Sequence, residues 1–131
     1  MPVLMELHKI IVSDMQDQQI IVLQEVNGNR QFPIVIGNTE AKAIKQRLEG
    51  IPPIRPMTHD LLSNVIEELG GSLDHIEITN LQEHTFYAQL HIRQNGRIVQ
   101  VDSRPSDAIA LGIANAVPIL VAPHVLDEAC G

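Results

Sequence analysis

Thr85–Asp107, which reads TFYAQLHIRQNGRIVQVDSRPSD, is the stretch on which the fold turns. Thr85 to Gln94 and Arg97 to Ser103 carry the β-branched, aliphatic and aromatic residues of strands, and Asn95-Gly96 between them is the strongest short hairpin signal in the chain. An antiparallel pair is expected, followed directly by a helix. Pro105 fits the first helical turn, where its missing N–H costs nothing, and Ser106 and Asp107 suit the positive end of the helix dipole. Ala108, Ile109, Leu111, Gly112, Ile113 and Ala114 make that helix apolar enough to be central.

Upstream, Leu73 to Thr79 reads as a further strand, preceded by a helix from about Thr58 to Leu69 that Gly70-Gly71 ends. Thr58 is a candidate cap, and Leu61, Leu62, Val65, Ile66 and Leu69 form an expected inner stripe. An earlier helix starts at Gly37-Asn38-Thr39, with Asn38 or Thr39 as the capping oxygen and Glu40 in the first turn, and stops at Gly50. Val3 to Val12, Gln18 to Val26 and Arg30 to Ile36 read as a three-stranded meander. Its turns fall at Ser13 to Asp17 and at Asn27-Gly28-Asn29, the latter offering φ > 0. Downstream, Pro118 to Val121 is expected as a short buried strand and His124 to Ala129 as a short terminal helix. The implied class is α+β, with a mixed, largely antiparallel sheet built from an N-terminal meander and a C-terminal hairpin, three main helices and a short terminal one. No linker or repeat divides residues 1–131, so one domain is expected.

Composition narrows the function. Nine basic against sixteen acidic side chains give a formal charge of -7, which opposes long-range attraction to nucleic acid or an anionic membrane. Phe32, Phe86 and Tyr87 are the only aromatics, too few for a base-stacking platform. Cys130 has no partner for an intrachain disulfide, the N-terminus lacks a basic n-region, and no apolar run approaches the ~20 residues of a membrane span. A cytoplasmic protein with no membrane partner is expected.

Two Arg-Pro segments carry the chemistry. Arg55-Pro56-Met57-Thr58-His59-Asp60 puts a guanidinium, an imidazole and a carboxylate at one helix entrance, and Asp102-Ser103-Arg104-Pro105-Ser106-Asp107 puts a guanidinium between carboxylates at another. Two helix N-termini brought together favour a phosphate. In that reading Asp60, Asp102 and Asp107 bind a divalent metal, Mg or Mn, Arg55 and Arg104 hold the phosphate, and His59, Asp60 and Asp107 do the catalytic work. The same residue types also suit a structural ion-pair network, because Asp at a helix start and Arg beside Asp are common stabilising devices. His8, His75, His84, His91 and His124 show no metal-ligand spacing and receive no role.

Arg55 to Leu61, Thr85-Phe86-Tyr87-Ala88, and Val101 to Ala108 followed by Pro118-Ile119 together resemble the bifunctional nuclease family; Phe32 to Gly37 with Glu40-Ala41 extends the likeness over nearly the whole chain. The resemblance implies an α+β fold, a homo-oligomer, and nuclease activity with DNA or RNA as substrate. A non-catalytic oligomeric binding or regulatory module is the competing expectation.

Overall fold

A computed structural model describes residues 1–13, 15 and 17–130. The elements follow in the order β1 (Val3–Ile11), β2 (Gln18–Glu25), β3 (Gln31–Gly37), α1 (Asn38–Leu48), α2 (Thr58–Glu68), β4 (Gly71–Gln82), β5 (Thr85–Gln94), β6 (Arg97–Ser103), α3 (Pro105–Asn115), β7 (Ile119–Val121) and α4 (Pro123–Cys130). The expected α+β class holds. The strands form one seven-stranded mixed sheet in the order β3-β2-β1-β7-β4-β5-β6. Meander and hairpin are both antiparallel, and the three-residue β7 joins them, antiparallel to β1 and parallel to β4.

One face of the sheet carries the core. Met5, Ile21, Leu23, Phe32, Ile34, Ile76, Ile78, Ala88 and Leu90 meet Ile44 of α1, Ile109 and Leu111 of α3, and Val125 and Leu126 of α4 in a single buried cluster. Because side chains alternate across a strand, the register decides the opposite face as well. Ile76↔Leu90 and Ile78↔Ala88 point into the core, so His75↔His91 and Glu77↔Gln89 point away from it, and Gln89↔Asp102 places Asp102 on that outer face too.

Several local expectations change. The residue capping α1 is Gly37, and Asn38 Oδ1 accepts instead from Gln19 Nε2 at 3.0 Å. Thr58 is already helical; Met57 takes the cap position, and Asp60 reaches back to accept its N–H at 3.0 Å. The expected inner stripe of α2 is mostly outer: of its five residues only Ile66 packs against the core, and Leu61, Leu62, Val65 and Leu69 are exposed. Gly28 does not adopt positive φ; its value is space, since a Cβ there would come within 2.8 Å of the Glu25 carboxylate. Within the expected Ser13 to Asp17 turn, Asp14 and Gln16 lie outside the described residues. No helix among those described is long and apolar enough to cross a membrane.

Candidate active site

The first turns of three helices meet around one cavity of about 330 Å³. α1 contributes Thr39 and Glu40, α2 contributes Thr58, His59 and Leu62 behind the capping Met57, and α3 contributes Asp107 and Ala110 behind the capping Arg104. First-turn residues of each helix line this space, and a helix start carries unpaired N–H groups and a positive dipole end. The two Arg-Pro segments are thus brought together, and a third helix entrance joins them. Glu40 was legible as a favourable first-turn residue and as part of the family likeness; nothing in its local sequence says that it faces Arg104, 64 positions away.

Arg104 is the hub. Its Nε donates to Asp107 Oδ2 at 2.9 Å, and its Nη2 donates to Asp107 Oδ1 at 3.1 Å and to Glu40 Oε1 at 2.9 Å. The Asp107 bonds, then that of Glu40, push the guanidinium above its already high ordinary pKa. Its side chain stays 66% exposed, so solvent screens these pairs and a substrate oxygen can reach it.

His59 and Asp60 form the second half of the site. His59 Nε2 lies 3.4 Å from Asp60 Oδ1, while the other Asp60 oxygen holds the Met57 N–H. His59 lines the main cavity, whereas Asp60 lines a smaller cleft on its other side, with His59 and Met57 shared between the two. Arg55 is exposed and makes no hydrogen bond or ion pair among the described residues.

The expected metal trio does not assemble. Among the described residues, Asp60, Asp102 and Asp107 are not a group whose oxygens come within 4.8 Å of one another. The reason is topological, since Asp102 sits on the outer face of β6 while Asp107 lies on the helical side. No step is therefore assigned to a shared Mg or Mn ion there.

A different cluster does come together. His75, Glu77 and His91, on the outer face of β4 and β5, each offer one donor atom within 4.8 Å of the others. The two imidazoles stack with centroids 4.1 Å apart. Spacing hid the pair, because His75 and His91 are far apart in sequence and only the β4–β5 register sets them opposite each other. A bulge between Leu73 and His75 sets Asp74 beside His75. Asp74 Oδ2 lies 2.7 Å from His75 Nδ1, and Asp74 Oδ1 accepts from Arg93 Nη2 at 2.8 Å. These bonds, that of His75 first, hold the Asp74 carboxyl below its usual range. His91 is 8% exposed, and its Nε2 has no hydrogen-bond partner among the described residues. Burial, more than any neighbouring charge, pushes its pKa below the ordinary imidazole value. A buried polar atom left unsatisfied costs about 1–3 kcal/mol.

Comparison with known proteins fits the motifs. Residues 21–130 match the family described as the bifunctional nuclease domain. An uncharacterized protein of Mycobacterium tuberculosis (strain H37Rv) is 44% identical over 120 residues, covering 92% of this chain and 71% of that protein. "Bifunctional nuclease 1" of Oryza sativa subsp. japonica is 26% identical over 105 residues, and "Bifunctional nuclease 2" of Arabidopsis thaliana 23% over 117. These alignments cover 78% and 87% of the chain but only 32% and 33% of the plant proteins, so the shared region is about a third of either.

Proposed function

We propose, from the premise that the chain belongs to the bifunctional nuclease domain family, that it hydrolyses phosphodiester bonds in DNA and RNA at the cavity between α1, α2 and α3. The observation that carries this reading is the meeting of three helix starts with His59, Arg104 and Asp107 at one solvent-reachable space. The phosphate docks against the helix N-termini, and Arg104 offers the phosphoryl oxygens the N–H groups its carboxylates leave free, offsetting the charge that builds as water attacks phosphorus. His59 accepts the proton of the attacking water as the new P–O bond forms, then returns it to the leaving oxygen as the old bond breaks. Asp60, 3.4 Å from His59 Nε2, orients the ring, and Asp107 holds Arg104 in place. Arg55 has no partner among the described residues and is not among the residues lining the cavity, so its proposed part is an outer anchor for the substrate's flanking phosphates.

The test is cleavage of supercoiled DNA and single-stranded RNA by the purified full chain, with Mg or Mn supplied. His59→Gln and Arg104→Ala are each expected to lower the rate by about 100-fold, the low end for losing a general acid–base or a charge stabiliser. Thermal stability should change little. An inert wild-type protein ends the nuclease reading; unchanged rates in both variants would move the chemistry elsewhere.

One observation favours a second reading. Arg104 already binds two carboxylates, which leaves the pocket acidic and suits a structural network in a non-catalytic binding module. That reading expects Arg104→Ala to lower stability with no turnover to lose. In either case we propose a homo-oligomer, a reading supported by the exposed apolar residues of α2.

A further inference from the structure

We propose that His75, Glu77 and His91 form a binding site for a borderline divalent transition-metal ion of the zinc class, on the face of the sheet away from the helical cavity. The site does not rest on the nuclease reading. Two imidazoles and one carboxylate suit zinc-like ions, whereas magnesium and calcium prefer oxygen donors alone. Three protein donors leave a coordination position open for water or an incoming oxygen ligand.

Three features distinguish this cluster from a chance meeting of surface groups. His91 Nε2 is buried without a hydrogen-bond partner among the described residues and lies 4.0 Å from Glu77 Oε1, too far for a hydrogen bond. His75 is oriented by a partner that leaves a ligand atom available: with Nδ1 bonded to Asp74 at 2.7 Å, Nε2 keeps its lone pair. Asp74 is itself anchored by Arg93 at 2.8 Å, giving the carboxylate–histidine arrangement that fixes a metal-binding imidazole. Lastly, all the donors stand on two paired strands rather than on loops, so the backbone already holds them in register.

Ion binding draws the donors together. A tetrahedral ion with bonds of about 2.0–2.1 Å needs donors roughly 3.3 Å apart. The present donors lie within 4.8 Å of one another and the two rings stack, so binding requires His75 and Glu77 to rotate until their donor atoms converge.

The full chain, stripped with a chelator and dialysed, is titrated with Zn²⁺ by calorimetry and with Co²⁺ by visible absorption, whose intensity reports low-coordinate geometry. One ion per chain is expected, with a rise in Tm on binding. Glu77→Gln and His75→Gln should each weaken affinity at least 10-fold, and Asp74→Asn about 10-fold through loss of the oriented tautomer. His91→Gln risks the fold because the residue is buried, so Glu77 and His75 are the deciding positions. His59→Gln should bind the ion as wild type does, which separates this site from the cavity. Substoichiometric uptake, unchanged affinity in Glu77→Gln and His75→Gln, or loss of binding in His59→Gln would each overturn the site. Cleavage of nucleic acid without zinc binding would sink this inference alone, and zinc binding without cleavage would sink only the nuclease reading.

Discussion

Glu25 shows how a single side chain ties distant segments. Its carboxylate accepts from Arg30 Nε at 3.0 Å across the β2–β3 turn, and Arg30 Nη1 donates onward to Asp127 of α4 at 3.0 Å. The hydrogen bond from Arg30 holds the Glu25 carboxyl below its ordinary value of 4.5. A depressed folded-state pKa means that the unfolded chain binds the proton more readily, so this contribution is full above pH 4.5 and fades as pH falls through the lower folded value. The groups facing Glu25 are Arg30 directly and Asp127 through it. Urea unfolding between pH 6 and pH 3 should therefore show a smaller acid-side loss of stability in Glu25→Gln than in wild type, and equal losses would refute the linkage. At this scale the sequence was legible where a residue's role is local. Asp107 at a helix start and Asn95-Gly96 in a turn, with φ of 52° and 77°, are cases. It was silent where the role depends on register, as for His75 and His91, or on a tight approach, as for Gly28 beneath Glu25.

Among the elements, α3 and its C-cap hold two residues in each other's natural places. Gly112 lies buried within the helix against β4, where an added Cβ would sit 3.4 Å from Ile76 Cγ1, an ordinary contact. Ala116, just past the helix, is held left-handed at φ 54°, while Ala116 N–H and Val117 N–H close the last turn onto Ile113 and Gly112 carbonyls. Alanine exceeds glycine in a helix interior by about 0.8–1 kcal/mol, and a left-handed L-residue costs roughly 1 kcal/mol that glycine avoids. Gly112→Ala and Ala116→Gly are each expected to raise unfolding stability by about 0.5–1 kcal/mol in urea melts, allowing for the extra unfolded-state freedom of glycine. A loss at Gly112→Ala would show that Ile76 cannot yield. The helix itself was readable from Pro105 and its apolar run. α2 was readable as a helix but not as to where its stripe points, because periodicity reveals a face and not what covers it.

Across the whole molecule, the exposed stripe on α2 is the largest departure from what the pattern implied. Leu61 is 57% exposed, Val65 44% and Leu69 70%, on a helix with no buried residue. Apolar surface so arranged fits a contact between copies of this chain. Light scattering at micromolar concentration should give a homo-oligomer for wild type and a smaller species for Leu61→Glu with Val65→Glu, both with native circular dichroism; a wild-type monomer would remove the proposal. The meander and the hairpin were each legible because their partners are neighbours in sequence, whereas the strand order depended on β7, too short to announce its position. That short strand also sets a timetable. The halves it joins are complete by Gly37 and Ser103, while Ile119–Val121 follows both in the chain. Until then the inner edges of β1 and β4 have no partner, so the nascent chain carries two open strand edges that invite wrong pairing.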